Sequence, residues 1–178
     1  LGGSLETAKT QPVGDYAMSC LGRERIFEHF SRTYQIPMSV IRLNYATELR
    51  YGVLLDIAER ILAENPVPLH MGHFNTIWQA DATAMSLQSL MHASSPPFVI
   101  NVAGPELMSV RRIANEFAEH FNKNVSFEGI ESGDAILSNA QKSFQLFGYP
   151  TVSVGQMVAW IADWAIRGGE KLGKPTHF

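Results

Sequence analysis

The chain has 178 residues, of which 46% are hydrophobic and 17% charged, a balance that supports a packed core and excludes a disordered or collagen-like protein. Its formal charge of −3 comes from 17 acidic and 14 scattered basic residues, so no nucleic-acid or anionic-membrane partner is expected. No apolar run approaches the roughly 20 residues that span a bilayer. With a single cysteine and no opening signal peptide, the sequence predicts a cytoplasmic protein.

Helices and strands are predicted to alternate along the chain. Hydrophobic periodicity predicts strands at residues 38–43 and 98–102, with shorter strand segments at 76–78 and 125–127. Helical periodicity and capping signals predict helices over 16–34 (N-capped by Asp15), 53–62 (opened by Gly52 and followed by Asn65-Pro66), 80–93, 110–122 (N-capped by Ser109), 141–147 and 154–167. Two acidic residues of the second helix, Asp56 and Glu59, are assigned to a solvated face.

This order of elements predicts the fold class. Strands separated by helices indicate an α/β protein with a parallel sheet. Two or three convincing strands are fewer than such a sheet usually contains, so the count fits part of a fold better than a whole one. The loop-like opening from Leu1 also suggests that the chain begins inside a larger protein.

One short segment carries the most chemical information. The run from Tyr16 to Glu24 places a tyrosine, a serine three residues later and a glutamate eight residues later at the start of a predicted helix. It resembles the active-site helix of the extended short-chain dehydrogenase/reductases, which include NAD-dependent epimerases and dehydratases. In that family the position four residues after the tyrosine is a lysine. Here it is Cys20.

Other segments continue the resemblance in the family's order. The run 41–45 resembles the Leu-Arg-x-x-Asn-x-Tyr-Gly end of a sheet strand, one residue shorter. Residues 80–82 resemble the Val-Asp-Asp segment, and residues 101–114 resemble the last strand, its glycine turn and the next helix. The family's Gly-x-x-Gly-x-x-Gly loop is not in the sequence. The resemblance therefore implies an incomplete Rossmann-like sheet, from residues 1–45 and 97–122, with a small mixed substrate-binding region from 46–96 and 123–178.

The resemblance also implies an activity and a cofactor. It implies part of an NAD- or NADP-dependent epimerase, dehydratase or reductase that acts on a small hydroxy, carbonyl or sugar-like substrate. Without the glycine-rich loop, this chain alone is expected to bind NAD or NADP weakly or not at all. The family also forms homodimers through its tyrosine-bearing helix. The apolar residues between 21 and 30 suit such a dimer, although packing against the chain's own sheet would produce the same pattern.

Five site residues follow from the resemblance. Tyr16 and Cys20 occupy the catalytic positions, while Tyr16, Leu43 and Asn44 are implied to contact the cofactor. Asn44 and Arg50 are implied to contact the substrate. A lysine one helical turn after a tyrosine can lower the phenol pKa from about 10 and so favour proton transfer near neutrality. A cysteine provides no such positive charge, so the usual mechanism is in question.

Two further positions limit the expected chemistry. Nucleotide-sugar enzymes of this family carry an arginine where this chain has Phe74, which favours a smaller or neutral substrate. His70 and His73 lie in a predicted loop without cysteine or carboxylate neighbours and supply only half of a metal site, so no metal is expected.

Two alternative interpretations remain open. The Cys20 position is compatible with a small-molecule-binding or regulatory protein that has kept the fold and lost the chemistry. A purely helical interaction module is the third alternative, and the predicted strands 38–43 and 98–102 disfavour it.

Overall fold

A computed structural model describes residues 2–133, 135–174 and 176 of the chain. Its helices are α1 (Gly14–Tyr34), α2 (Val53–Leu62), α3 (Gln79–Gln88), a 3₁₀ helix (Ser89–His92), α4 (Val110–Phe121), α5 (Gln141–Phe147) and α6 (Val154–Ile166). Its strands are β1 (Ser39–Leu43), β2 (Ala46–Thr47), β3 (Val67–Pro68), β4 (His73–Phe74), β5 (Ile77–Trp78), β6 (Phe98–Val102), β7 (Met108–Ser109) and β8 (Phe127–Glu128).

The two longest strands form a parallel pair. β1 and β6 run in register from Ser39 opposite Phe98 to Leu43 opposite Val102, and α3 lies between them in the sequence. Ile41 and Val102 pack with Ala82 and Met85 of α3 in a small apolar cluster. The α/β class and the parallel strands predicted from the sequence are therefore confirmed.

The remaining strands are two-residue pairs. β2 pairs with β5 and β3 with β8, both in parallel, whereas β4 pairs with β7 in antiparallel fashion. The predicted strand at 76–78 becomes β5, and the predicted edge strand at 125–127 is shifted to Phe127–Glu128. These pairs fix the path of the chain between the helices.

Most of the apolar core lies among α2, α4 and α6. Each helix has apolar residues three and four positions apart, and these residues meet in one buried cluster. Its largest fully buried side chains from the three helices are Leu54, Ile57, Ile61, Ile113, Phe117, Met157 and Ile161. α4 begins as predicted, because the Ser109 hydroxyl accepts a hydrogen bond from the Arg112 amide.

Helix α1 differs from the sequence prediction in two respects. Its N-cap is Val13, and Asp15 lies inside the first turn without a capping hydrogen bond. Of its residues only Ser31 is buried, while Ile26, Phe27 and Phe30 are 59%, 51% and 45% exposed. These three apolar side chains of α1 are therefore left largely uncovered by the described part of the chain.

Among the described residues, no helix is both long enough and apolar enough to cross a membrane.

Candidate active site

An ion pair fixes α1 against β1. Arg42 in β1 donates two hydrogen bonds to Glu24 of α1, from Nη2 to Oε1 at 2.6 Å and from Nε to Oε2 at 3.0 Å. Further along α1, the Ser31 carbonyl accepts a hydrogen bond from Ser95, shortly before β6 begins. α1 thus runs antiparallel to β1, and its N-terminal turn points toward the carboxyl ends of β1 and β6. In parallel α/β sheets, ligands bind at these carboxyl ends.

Tyr16 lies in that first turn of α1 and faces solvent. Its side chain is 83% exposed, and the hydroxyl of Ser19 donates a hydrogen bond to its backbone carbonyl. Cys20, one turn further, is part-buried and unoxidised. A hydrogen bond with Cys20 raises the pKa of Tyr16, and a negative charge on the Cys20 sulfur acts in the same direction. The pair predicted from the sequence is adjacent, and Cys20 acts on Tyr16 in the opposite sense to a lysine.

Leu43 and Asn44 mark the end of β1. Leu43 is 49% exposed, and the backbone amide of Asn44 extends the ladder by donating to Val102. The Asn44 side chain, however, already donates hydrogen bonds within the chain. Its Nδ2 lies 2.7 Å from Oδ1 of Asn75 and 3.4 Å from the carbonyl oxygen of Ile136. Its amide group therefore helps to order the strand end.

Asn75 is the centre of this polar cluster. Its side-chain amide donates to the carbonyls of Gly104 and Ser138 at 3.1 and 2.8 Å, and its oxygen accepts from Asn44 and from the Ser138 amide. The side chain is 6% exposed and uses both its donors and its acceptor. It thereby joins the ends of β1 and β6 to the segment around residue 138.

A tight reversal follows Asn44. Tyr45 has a φ of 39°, in the left-handed region that residues other than glycine rarely occupy, and its carbonyl accepts from the Ile77 amide at 3.0 Å. Desolvation is the main cause that raises the pKa of Tyr45. The neighbouring Tyr51 raises the pKa of Tyr45 further and also raises the pKa of Tyr16. Tyr51 thus lies close enough to influence both phenols, a proximity that its sequence position does not reveal.

The segment that leads into α1 is fixed to the middle of the strand pair. Asn101 of β6 donates from its side chain to the carbonyl of Ser4, and its backbone amide donates to the Glu6 carboxylate. Arg42 also donates to the Glu6 carbonyl. Residues 4–6 and α1 are therefore both anchored to the polar positions Arg42 and Asn101, which are register partners.

Arg50 lies on the loop after β2. Its guanidinium is held by Glu48 at 3.1 Å, and the side chain remains 47% exposed. The Leu172 amide donates to its backbone carbonyl. Nothing in these contacts links the Arg50 side chain to Asn44.

Three residues were not identified from the sequence. Asn75 lies in an irregular stretch with no motif, and Tyr51 approaches the site only through the fold. Arg23 could have been found, because positions 16, 20 and 23 share one helix face. In the described part of the chain, no group of three or more metal-ligating side chains comes together.

Comparison with solved structures identifies the fold. UDP-glucuronic acid 4-epimerase from Bacillus cereus in complex with NAD matches 93% of this chain with a TM-score of 0.79 at 17% identity. dTDP-glucose 4,6-dehydratase from Bacillus anthracis, in complex with NAD, matches 94% with a TM-score of 0.78 at 17% identity. UDP-glucose 4-epimerase from Thermotoga maritima, with UDP-glucose, matches 94% with a TM-score of 0.77 at 17% identity.

The match covers only part of those enzymes. The chain spans 56% of the first two and 58% of the third, a little more than half of their length. No protein-family model and no curated protein sequence matches the chain. The chain therefore has a partial Rossmann-like fold of the kind found in NAD-dependent sugar epimerases and dehydratases, as its resemblance to the extended short-chain dehydrogenase/reductases predicts.

Proposed function

We propose that this chain is the tyrosine-bearing part of an NAD- or NADP-dependent epimerase, dehydratase or reductase of the extended short-chain dehydrogenase/reductase type. The observation that carries the proposal is the Glu24–Arg42 ion pair, which fixes α1 so that Tyr16 lies toward the carboxyl end of β1. The solved structures of the same fold support it, since two of those compared are complexes with NAD.

The chain's residues fit only one end of such a cofactor. Tyr16 and Leu43 are both substantially exposed at the carboxyl end of the strand pair, where a nicotinamide ring could contact them. The lysine position that would bind the adjoining ribose is Cys20, and the sequence contains no glycine-rich loop for the pyrophosphate. NAD, when bound, would accept or return a hydride. The chain's own contribution is the proton transfer and the orientation of the substrate.

Tyr16 is the residue we assign to proton transfer. A tyrosine phenol is protonated at neutral pH, and the hydrogen bond with Cys20 raises its pKa further, so Tyr16 is better suited to donate a proton than to accept one. Asn44 would act mainly by ordering the strand end, since its amide is already bonded to Asn75. We place Arg50 at the substrate side, since its side chain is 47% exposed although it is paired with Glu48.

The substrate we propose is a small hydroxy, carbonyl or sugar-like molecule without a diphosphate. Phe74 occupies the position where nucleotide-sugar enzymes of this type carry an arginine. Phe74 is uncharged and fully buried in the core, so it cannot contact a substrate phosphate as an arginine would. A cytoplasmic homodimer is part of the proposal, and the exposed apolar residues of α1 support the dimer.

A second candidate function is a small-molecule-binding or regulatory protein of the same fold. Cys20 favours it, because a neutral thiol replaces the cation of the usual mechanism. The two candidates differ in turnover, not in fold.

The decisive experiment uses a polypeptide in which a nucleotide-binding half precedes this chain. We would compare the parent, Tyr16→Phe and Cys20→Lys for NAD reduction with small hydroxy substrates. We expect low activity in the parent, loss of activity in Tyr16→Phe and a gain in Cys20→Lys. Equal turnover in the parent and Tyr16→Phe would remove Tyr16 from the mechanism. No turnover in any variant, with substrate binding retained, would favour the regulatory protein.

A separate titration tests whether this chain binds the cofactor without a nucleotide-binding half. The 178-residue chain alone is expected to bind NAD and NADP weakly or not at all. Micromolar binding at one site per chain would show that the cofactor site is complete here.

A further inference from the structure

The arginines of α1 differ in their partners. Arg25 and Arg32 both bind Glu28, at 3.0 Å each, so each of these guanidiniums has a carboxylate partner on the helix surface. Arg23 has no carboxylate partner within the described residues. Its Nη2 lies 3.8 Å from Sγ of Cys20, so this guanidinium points along the helix toward the N-terminal turn.

The spacing on the helix makes a continuous row. Residues 16, 20 and 23 are separated by four and three positions, which places their side chains one above another on the same face. Cys20 lies in the middle, one helical turn after Tyr16 and with its Sγ in contact with Arg23. A charge at position 23 therefore acts on the Tyr16 hydroxyl across a single intervening side chain.

We propose that Arg23 is the positioning residue of the Tyr16 site, supplying from the next turn of α1 the positive charge that Cys20 does not provide. The inference rests on the proposed function, in which Tyr16 transfers the proton. Arginine suits this role because it stays protonated at every pH at which the site could work.

The groups around Tyr16 act in opposing directions. The hydrogen bond and charge of Cys20 raise the pKa of Tyr16, as do partial desolvation and the nearby Tyr51, whereas the charge of Arg23 lowers it. Cys20 is the dominant influence, so the net direction is upward. Arg23 limits that rise and favours the phenolate that forms once the proton has left.

The test measures the pKa of Tyr16 in the 178-residue chain, with neither cofactor nor substrate. Titration of isotopically labelled tyrosine by NMR resolves the residue, and the resonance lost in Tyr16→Phe identifies it. We expect the pKa to rise in Arg23→Gln and to keep the parent value in Arg23→Lys, which restores the charge. Because Tyr16 and Arg23 are both exposed, the difference should shrink as the ionic strength is raised.

Arg25→Gln is the matched control. It removes the same charge from the same helix, but from a side chain that is bound to Glu28, so the pKa of Tyr16 should not change. An unchanged pKa in Arg23→Gln would overturn the inference. So would a failure of Arg23→Lys to restore the value, or an equal rise in Arg25→Gln. Circular dichroism checks that each variant keeps its helices.

The outcome is independent of the proposed enzyme activity. If Tyr16→Phe retained turnover in the longer polypeptide, the proposed function would fail even where the charge of Arg23 acts on Tyr16. If Arg23→Gln left the pKa of Tyr16 unchanged while Tyr16→Phe abolished turnover, the proposed function would stand and this inference would fail.

Discussion

Arg42 binds Glu24 through two donors on one edge of its guanidinium, Nε and Nη2, and the two side chains are only 27% and 17% exposed. The pair joins the middle of α1 to β1 across eighteen positions of sequence. The hydrogen bond with Glu24 also raises the pKa of Arg42, so this guanidinium stays protonated. Because α1 buries so little apolar surface here, this polar contact has an unusually large share in fixing the helix.

Replacing Arg42 with Gln is expected to loosen α1. The change leaves Glu24 part-buried without its partner and also removes the bond to the Glu6 carbonyl. We expect a loss of about 1–2 kcal/mol, between the values for exposed and fully buried pairs. Urea unfolding measures the loss, and faster amide exchange in residues 16–30 should accompany it.

Arg25→Gln provides the comparison for that loss. Its pair with Glu28 is on the helix surface, with Arg25 62% exposed, and should contribute only about 0.3 kcal/mol. Equal losses in the two variants would show that the Arg42 contact has no special role in fixing α1.

The long elements could be predicted because their apolar spacing agrees with their burial. In α4, Ile113 and Phe117 repeat at helical spacing, and both are fully buried. The strands 38–43 and 98–102 were recognisable from their apolar runs, and they pair with each other. In α1 the same kind of spacing was present, but Ile26 and Phe27 remain exposed, since no element of the described chain covers them.

The polar part of the site could be predicted only where a motif existed. The run from Tyr16 to Glu24 was informative because residues on a helix have fixed relative positions. Asn75 had no such signal, since its partners Asn44 and Ser138 are far away in sequence and meet only after folding. Apart from β5 and β8, the two-residue strands could not be located from the sequence, because two positions are too few to show an alternation.

Asp81 is expected to be a strong structural anchor. One carboxylate oxygen accepts from the Thr151 hydroxyl at 2.8 Å and the other from the Val152 amide at 3.1 Å, at a side chain only 9% exposed. Asp81→Ala removes both acceptors and should cost about 2–3 kcal/mol in unfolding free energy. Thermal and urea unfolding measure it.

Thr151→Val separates the two bonds of Asp81. It removes only the hydroxyl donor and should cost about 1 kcal/mol, less than half of the effect of Asp81→Ala. If the two variants lost the same stability, the Val152 amide would contribute nothing, and the anchor would be reduced to one hydrogen bond.

Asp56 is expected to make stability depend on pH. The sequence assigned it to a solvated face, but it is part-buried and accepts a hydrogen bond from Thr176. Burial raises its pKa, and the Thr176 bond opposes that rise. The folded chain therefore binds this proton at higher pH than the unfolded chain. The contribution of Asp56 to stability is fully present below its pKa in the unfolded chain, about 3.9. It is lost as the pH rises through the pKa of Asp56 in the folded chain.

Asp56→Asn tests the sign of this dependence. The amide resembles the protonated acid, so the variant should be more stable than the parent at neutral pH, and its advantage should vanish at about pH 3.5. The unfolding free energies of the parent and the variant are measured at both pH values. Subtracting one from the other cancels the contributions of the other titrating groups. Asp163→Asn, at a side chain 59% exposed beside Arg167, should give no gain at neutral pH. A less stable Asp56→Asn would mean that the hydrogen bond from Thr176 outweighs burial.

Gly104 is expected to tolerate no side chain. A Cβ there would overlap the carbonyl oxygen of Thr76 and lie 2.8 Å from its carbonyl carbon, both backbone atoms. The Gly104 carbonyl also accepts from Asn75, so the backbone cannot shift without loosening the cluster at the strand ends. Gly104→Ala should therefore cost about 2–4 kcal/mol, measured by urea unfolding.

Gly155→Ala is the opposite case on the same chain. Gly155 lies inside α6, and a Cβ there would meet no atom within 4 Å. Alanine should stabilise the helix by about 0.5–1 kcal/mol, because it restricts the unfolded chain without a clash. If Gly104→Ala were as well tolerated as Gly155→Ala, the close approach of Gly104 to Thr76 would be wrong, and with it the placement of Asn75 between the two strand ends.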